Sequence, residues 1–247
     1  MSQPRAAIVL AAGKGKRMKS DLPKVLHAIH GRSMIRMVMD TLTALKFDKI
    51  VVVVGFKGKM VEKEVGGYDA EVVWQHEQLG TGHAVMMAKE ALKDFEGTTL
   101  VALGDVPFLR GETIEKLFDV HKRTSAKATC LSAILDDSTG YGRIVRDGGS
   151  DVLKEIVEHK DASEEIRRIK EINTGTFCFD NMLLFETLTE IKSDNAQGEY
   201  YLTDCVKIMY NRGLRVSVMA VDNPDEGLGV NSADQLEELA KKFESAS

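Results

Sequence analysis

The segment AAIVLAAGKGKRM, residues 6–18, with LPK at residues 22–24 shortly after it, decides the fold of this chain. Residues 6–12 are all apolar and stop at a glycine, which predicts a strand buried in a parallel sheet. Gly13 and Gly15 then let backbone N–H groups approach a phosphate chain without a Cβ in the way. The segment therefore predicts a strand that leads into a phosphate-binding loop.

Two cations follow these glycines. The guanidinium of Arg17 can form paired hydrogen bonds with phosphate oxygens, and Lys24 adds a point charge. The loop is not a Walker A motif, because the Gly-Lys-Ser/Thr ending is absent. It is not the dinucleotide-binding fingerprint either, since that pattern needs a glycine where this chain has Met18.

The first half of the chain alternates apolar runs with segments whose apolar residues have helical spacing. Strands are predicted at residues 50–54, 71–74 and 100–103, and helices at residues 33–46, 83–92 and 112–122. This alternation predicts an α/β fold, a Rossmann-like, doubly wound and mostly parallel sheet with helices on both faces. Ligands of such sheets bind beyond the carboxyl ends of the strands. The loops at residues 11–24, 75–83 and 104–108 are therefore expected to form the site.

The second half is less regular. Strands are predicted at residues 130–135, 151–158 and 174–179, a short helix or mobile loop at 161–170, and a tail helix from Ser232, capped with Gln235, to Phe243. No linker separates the two halves, which predicts one domain over residues 1–230 with a C-terminal helix in 231–247. Its nucleotide-binding half is expected at about 1–125 and its smaller substrate-binding half at about 126–230.

Composition excludes several classes of protein. With 247 residues, 43% apolar and 29% charged, the chain is long enough for a large core and is not globally disordered. A net charge of −5 argues against general nucleic-acid binding. Its apolar runs are too short to span a membrane, and no signal peptide is expected before the first strand. Three widely spaced cysteines predict buried thiols rather than disulfides, and a cytoplasmic location is expected.

The opening segment resembles that of bacterial N-acetylglucosamine-1-phosphate uridylyltransferase. Further motifs of that family follow in order: QHEQLGTGHAV (75–85), LGDVP (103–107), TGYGRI (139–144), IVEHKDA (156–162), EINTG (171–175), QGEYYLTD (197–204) and GVN (229–231). One such motif would be weak, but together they are highly specific. The resemblance implies the nucleotidyltransferase fold, which is similar to that of glycosyltransferase-A enzymes, with a sugar-binding second half.

The resemblance also implies a reaction. UTP and N-acetylglucosamine 1-phosphate would form UDP-N-acetylglucosamine and pyrophosphate by in-line attack on the α-phosphate. Arg17 and Lys24 are the implied catalytic residues, and Asp105 and Asn231 are the implied ligands of Mg²⁺. The implied substrate-binding residues are Leu10, Ala11, Ala12, Gly13, Lys24, Gln75, Gly80, Thr81, Leu103, Gly104, Asp105, Gly142, Glu158, Asn173 and Asn231.

Several of these residues also make physical sense by themselves. Asp105 follows an apolar strand, where a carboxylate can hold Mg²⁺ together with substrate phosphates. Gln75 carries a donor and an acceptor, which suits the imide edge of uracil. His83 is interpreted as a residue of a helix N-terminus rather than as a catalyst.

The chain departs from the family in three respects. Lys16 stands where the family usually has threonine, and Leu103 stands where it commonly has tyrosine. The third departure is length, because most members continue into a β-helix with acetyltransferase activity. That activity is expected to be absent from this polypeptide, and a monomer or weak dimer is expected because the family's trimer is attributed to the β-helix.

Alternatives remain open at this point. The same chemistry could act on a different sugar 1-phosphate or a different base. A non-catalytic nucleotide-binding domain is a second alternative, although such a domain would not need Arg17, Lys24, Asp105 and Asn231 together. The chain could also be either a stand-alone protein or half of a bifunctional enzyme. The expected partners are small molecules, with neither nucleic acid nor membrane among them.

Overall fold

The structure is a computed structural model and describes residues 3–18, 20–149 and 151–244. Its strands are β1 (Arg5–Ala11), β2 (Ala28–Ile29), β3 (Arg32–Ser33), β4 (Lys49–Val54), β5 (Glu71–Trp74), β6 (Thr98–Leu103), β7 (Ala128–Ile134), β8 (Arg143–Arg146), β9 (Leu153–Val157), β10 (Glu171–Asp180) and β11 (Val216–Ala220). Its α-helices are α1 (Met34–Ala44), α2 (Gly58–Val65), α3 (Thr81–Met86), α4 (Lys89–Leu92), α5 (Gly111–Arg123), α6 (Glu164–Arg167), α7 (Asn181–Thr187), α8 (Asp204–Asn211) and α9 (Ala233–Glu244). Short 3₁₀ helices lie at Lys16–Met18, Lys24–Leu26 and Pro224–Gly227. Within these ranges, no helix has the length and apolar character needed to cross a lipid bilayer.

A long sheet runs through the molecule in the strand order β11-β7-β10-β6-β1-β4-β5. Strand β1 pairs in parallel with β4 and β6, β4 pairs in parallel with β5, and β7 with β11. Strand β10 is the exception, because it runs antiparallel to both β6 and β7. The hairpin β8–β9 joins the sheet through an antiparallel contact with β10. The predicted α/β fold with a mostly parallel sheet is confirmed.

Residues of the central strand β1 alternate between two apolar cores, one on each face of the sheet. Ala7 and Val9 belong to the core that includes α1, α2 and α5, whereas Ala6 and Ile8 belong to the core that includes α3, α4, α7 and α8. The strand is buried on both faces, as its continuous apolar sequence predicted. Helices on both faces make the fold doubly wound.

The carboxyl ends of β1, β4, β5 and β6 meet at one edge of the sheet, and backbone hydrogen bonds join the segments that leave them. Gly104 N donates to Leu10 O at 2.9 Å, and Gln75 N donates to Val54 O at 2.8 Å. The three loops singled out in the sequence start at this edge, where doubly wound folds bind their ligands.

Some elements differ from the sequence prediction. The helix predicted for residues 83–92 is divided into α3 and α4, because Met87 N and Ala88 N bond to carbonyl groups three residues earlier. Only the single-turn α6 forms within residues 161–170. Strands β8 and β11 and helices α2, α7 and α8 were not predicted. The tail helix agrees with α9, and Gln235 N bonds to Ser232 Oγ at 3.2 Å at its first turn.

The three cysteines are buried and free. Burial raises the pKa of the Cys178 and Cys205 thiols well above the ordinary value. Cys130, Cys178 and Cys205 therefore behave as the small apolar core residues that their spacing predicted.

Candidate active site

The two glycines of the loop after β1 have different surroundings. A Cβ built on Gly13 would meet no atom within 4 Å, and this residue lines a cavity. Gly15 has a φ of +61°, and a Cβ there would lie 2.5 Å from the Cβ of Lys24. The fold therefore requires glycine at position 15, whereas glycine at position 13 leaves room for a ligand.

Two cations, a carboxylate and an amide converge beside this loop. Lys24 Nζ forms an ion pair with Asp105 Oδ2 and donates to Asn231 Oδ1 at 2.9 Å. Arg17 Nη2 donates to the same oxygen of Asn231 at 2.7 Å. The implied catalytic residues and the implied metal ligands therefore form one contact network.

Backbone hydrogen bonds hold the Asn231 segment against Asp105. Val230 N donates to Asp105 O at 2.9 Å. Asn231 N donates to the side chain of Gln235 at 2.9 Å, so the first turn of α9 orients Asn231. The sequence predicted that Gln235 caps Ser232 reciprocally, but its side-chain oxygen bonds instead to the residue before Ser232.

Asp105 carries a carboxylate oxygen that has no partner. Its Oδ1 is buried and accepts no hydrogen bond from the described residues, while both Asp105 and Asn231 contact Lys24 Nζ. No group of three or more His, Cys, Asp or Glu among the described residues could hold a metal. One carboxylate and one amide oxygen nevertheless suit Mg²⁺, which completes its shell with phosphate oxygens and water. The residues present fit a cation that binds together with a nucleotide.

A cavity of about 410 Å³ opens between the loop that follows β1 and the segment that follows β5. This volume is typical of small-molecule sites. The lining residues are Leu10, Ala12, Gly13, Gly15, Arg17, Lys24, Gln75, Gln78, Gly80, Thr81, Ala84, Leu103, Asp105, Glu199 and Asn231. We refer to it as the first cavity.

Gln75 is a buried side chain on the wall of the first cavity. Its Nε2 donates to Gly80 O at 3.1 Å and lies 3.1 Å from His83 Nδ1. We expected the side chain to present both a donor and an acceptor to a base. Because its amide hydrogens are engaged within the protein, the acceptor Oε1 is the group that remains available.

The segment 79–82 is held in place by Tyr200. Tyr200 N donates to Leu79 O, and Gly82 N donates to Tyr200 O, both at 2.8 Å. Gly80 has a φ of +111°, and a Cβ on it would lie 2.6 Å from Tyr200 O. Glycine at position 80 thus permits a close approach of two backbones that shapes the first cavity.

A second cavity of about 380 Å³ adjoins the first. Its wall includes Leu10, Arg17, Thr81, Leu103, Asp105, Thr139, Gly140, Tyr141, Gly142, Glu158, Asn173, Thr174, Gly175, Phe177, Leu202, Thr203, Gly229, Asn231 and Gln235. Six residues line both cavities, namely Leu10, Arg17, Thr81, Leu103, Asp105 and Asn231. The contact network around Asp105 therefore lies where the two cavities meet.

The second cavity carries a carboxylate and an amide on its wall. Burial raises the pKa of Glu158 above its ordinary value, and the hydroxyl of Thr203, which donates to Glu158 Oε1 at 3.2 Å, opposes that rise. Asn173 N donates to Gly142 O at 2.9 Å, and Asn173 Oδ1 accepts from Gly175 N at 2.8 Å. These contacts leave the amide nitrogen of Asn173 as a donor for a ligand.

Most of the expected substrate-binding residues line one of the two cavities, and two do not. The side chain of Ala11 is in the apolar core, because the alternation along β1 turns it to the face of α1. A Cβ on Gly104 would lie 2.9 Å from Ile35 Cδ1, so Gly104 allows close packing rather than lining a cavity. The side chain of Lys16 lies outside the described part of the structure.

Several lining residues were not singled out from the sequence as site residues. They are Gln78, Ala84, Glu199, Thr139, Gly140, Tyr141, Thr174, Gly175, Phe177, Leu202, Gly229 and Gln235. Most lie within the quoted motifs, so position inside a motif was the signal that could have identified them. Ala84 and Phe177 belong to the apolar core as well, and their spacing indicates only burial.

A solved structure shares this architecture. The crystal structure of UDP-glucose pyrophosphorylase complexed with UDP-glucose has a TM-score of 0.77 and covers 99% of this chain and 100% of that chain. The two sequences are 17% identical, so the likeness shows a common fold.

Similar curated proteins are named bifunctional protein GlmU. The one from Oceanobacillus iheyensis is 49% identical over 237 residues, which cover 96% of this chain and 52% of the relative. The one from Bacillus licheniformis is 50% identical over 227 residues, covering 92% and 49% respectively. The chain spans about half the length of these relatives. The family model of the MobA-like NTP transferase domain matches residues 7–168, well over half of the chain. The chain therefore belongs to the family of the MobA-like NTP transferase domain.

Proposed function

We propose that this chain is a uridylyltransferase that forms UDP-N-acetylglucosamine and pyrophosphate from UTP and N-acetylglucosamine 1-phosphate. The observation that carries the proposal is the junction of the two cavities at Arg17, Asp105 and Asn231. A nucleotide in the first cavity and a sugar phosphate in the second would bring their phosphates together there. Relatives named bifunctional protein GlmU, about half of whose length matches this chain, support the assignment.

The reaction needs no nucleophile from the protein. An oxygen of the sugar phosphate attacks the α-phosphorus of UTP in line, a new P–O bond forms, and the bond to pyrophosphate breaks. The attacking group is already an anion, so the main obstacle is the approach of two negatively charged substrates. Catalysis therefore depends on positioning and on neutralisation of charge.

Arg17 and Lys24 supply positive charge at the junction. In the structure both cations contact Asn231 Oδ1, and Lys24 also pairs with Asp105. Phosphate oxygens would compete for these donors, because charge-assisted bonds to phosphate are strong. In this proposal Arg17 stabilises the departing pyrophosphate, and Lys24 stabilises the charge on the α-phosphate.

Asp105 and Asn231 would hold Mg²⁺ through the unpartnered Asp105 Oδ1 and the Asn231 amide oxygen. When bound, Mg²⁺ supplies Lewis-acid stabilisation of negative charge on phosphate oxygens. The protein's own contribution is to hold the two oxygens in place, through the hydrogen bond of Val230 N to Asp105 O and through Gln235.

The second cavity provides recognition of the sugar. The Glu158 carboxylate suits hydroxyl donors, and the Asn173 amide nitrogen suits a hydroxyl or carbonyl acceptor. The backbone of Gly142 lies against Glu158, since a Cβ there would be 3.2 Å from Glu158 Oε1. These three residues are proposed to bind the hydroxyl and acetamido groups of N-acetylglucosamine.

The testing experiment is release of pyrophosphate with a panel of nucleotides and sugar 1-phosphates. We expect release with UTP and N-acetylglucosamine 1-phosphate, weak release with glucose 1-phosphate or CTP, and none after EDTA. Faster release with another pair would keep the mechanism and overturn the specificity. Absence of release across the panel, with UTP still bound, would favour a non-catalytic nucleotide-binding domain.

A further inference from the structure

The hydrogen bond of Gln75 to Gly80 determines which way its amide group faces. A backbone carbonyl can only accept, so the side-chain atom 3.1 Å from Gly80 O must be the NH₂ group. Exchange of the amide oxygen and nitrogen would place two acceptors against each other. The orientation of the amide therefore follows from the donor and acceptor chemistry of the two groups.

The same nitrogen of Gln75 contacts His83. Nε2 lies 3.1 Å from His83 Nδ1. Because an amide nitrogen donates hydrogen bonds and does not accept them, His83 Nδ1 must be the acceptor. The ring is then the neutral tautomer with its hydrogen on Nε2. His83 lies on the first turn of α3, and its ring centroid is 6.4 Å from that of Tyr200, which holds the segment before it.

We propose that His83 is a positioning residue that sets the base specificity of the first cavity. Gly80 O and His83 Nδ1 together engage both amide hydrogens of Gln75, which presents Oε1 as a fixed acceptor. The proposal rests on the proposed function, in which Gln75 binds the base of the nucleotide.

A fixed acceptor distinguishes pyrimidines by ring position 3. Uracil carries an N–H donor there, whereas cytosine carries a lone pair that would face the Gln75 oxygen. Two opposed acceptors lose a hydrogen bond and leave both groups unsatisfied. Without the His83 contact, the hydrogen bond to Gly80 O is the one that remains to the amide nitrogen among the described residues. Rotation of the amide then becomes easier, and a rotated amide would offer its NH₂ group to cytosine.

The test compares variants that differ in one acceptor. His83→Phe keeps a flat ring and removes the acceptor, while His83→Asn retains an oxygen close to the position of Nδ1. Dissociation constants for UTP and CTP are measured by titration of the fluorescence of Trp74, the single tryptophan, which directly precedes Gln75. His83→Ala is a second acceptor-free variant in case the phenylalanine does not fit, and thermal melting verifies folding.

We expect the UTP-to-CTP preference to fall about 3- to 10-fold in His83→Phe and His83→Ala and to be kept in His83→Asn, which matches the loss of one hydrogen bond. Equal loss of affinity for both nucleotides, or an unchanged preference in both acceptor-free variants, would overturn the role of His83. If the wild-type chain shows no preference for UTP, the failure lies in the proposed function instead. The two failures are thus distinguishable.

Discussion

Gly13 and Gly15 lie in the same loop, but glycine is needed at the two positions for different reasons. A Cβ at position 13 meets open space inside the first cavity, and a Cβ at position 15 collides with Lys24 at a positive φ. A methyl group added at position 13 should therefore affect ligand binding, whereas one added at position 15 should affect folding.

The substitution Gly13→Ala is expected to raise the KM for UTP roughly tenfold, because the methyl group occupies space that phosphates need. The free energy of unfolding should change by less than about 0.5 kcal/mol, as is usual at positions without contacts. Gly15→Ala is the comparison and should destabilise the fold by about 1–3 kcal/mol because of backbone strain. Urea titrations and initial rates measure both quantities. If the tenfold rise in KM of Gly13→Ala were caused by a loss of folding stability, the separation of binding from folding would be contradicted.

Replacing Asp105 tests whether its carboxylate takes part in the proposed metal binding. Asp105→Asn keeps the shape and removes the charge, so turnover is expected to fall by roughly 10²–10³, as on loss of a principal electrostatic stabiliser. The matched control is Asp136→Asn, whose exposed carboxylate bonds to Lys170 Nζ at 2.9 Å. Normal turnover in Asp105→Asn would remove Asp105 from the mechanism.

Lys24 lies against both side chains that are proposed to hold the metal ion, at Asp105 Oδ2 and at Asn231 Oδ1. Because its ammonium contacts both Asp105 and Asn231, its positive charge should weaken divalent-cation binding. Lys24→Met removes this charge, and we expect Mn²⁺ affinity without nucleotide to rise several-fold, about the effect of one competing charge at partial screening. Electron paramagnetic resonance of free Mn²⁺ gives the affinity. Lys59→Met, which removes a lysine paired with Glu62, should leave it unchanged.

At the scale of elements, helix α5 is held on strand β7 through a buried histidine. His121 Nδ1 lies 2.9 Å from Thr129 Oγ1, and burial lowers the pKa of His121 from 6.5 to about 4. Between these two values the unfolded chain binds a proton that the folded chain does not. The contribution of His121 to stability is therefore complete above about pH 6.5 and is lost as the pH falls toward 4.

Replacing His121 should make the free energy of unfolding less dependent on pH in the acidic range. His121→Gln keeps a hydrogen-bonding side chain and does not titrate, so the slope between pH 6.5 and 4 should fall by up to about 1.4 kcal/mol per pH unit. Denaturant titrations at several pH values measure this slope. The exposed His76 offers the control His76→Gln. Identical slopes in the wild type and in His121→Gln would show that His121 is not the titrating group.

The elements near the amino terminus could be predicted because their sequences are unambiguous. The apolar residues of β1 and β4 stop at glycines, and these strands are found where periodicity places them. The break between α3 and α4 has no such signal, because Met87 and Ala88 are good helix formers and only packing tightens the turn there. Strand β8 begins with the buried Arg143. A charged residue does not indicate a buried strand in the sequence, so β8 was not predicted.

The direction of β10 could not be predicted either, because strand direction depends on the path of the connection and not on local sequence. Of the expected site residues, the sequence identifies cavity-lining positions such as Gly13 and Asp105 well. The amide orientation of Gln75 depends on Gly80 and His83, contacts that arise only from the folded loop.

At the scale of the whole molecule, few large apolar side chains are exposed in the described part of the chain. In the described ranges Met60, Leu79, Ile134 and Met182 are exposed, and they belong to four different segments of the chain. A stable interface buries a contiguous apolar patch, so four exposed residues in separate segments favour weak self-association at most.

We therefore expect the chain to sediment with the mass of one copy at micromolar concentration, with weak dimerisation at most. Analytical ultracentrifugation over a hundredfold range of concentration measures this directly. A stable trimer of this chain by itself would contradict the expectation and would locate an interface within these residues.

The hydrogen bond of Val230 N to Asp105 O also has a consequence for biosynthesis. The loop after β1 and Asp105 leave the ribosome long before Asn231 does, and a domain generally folds as a unit during synthesis. The nascent protein thus carries the loop after β1 and Asp105 before it has Tyr200, which holds residues 79–82, and Asn231, which completes the contact network. Closing so long a loop is intrinsically slow. Turnover should therefore be the last property of the molecule to appear as it is made.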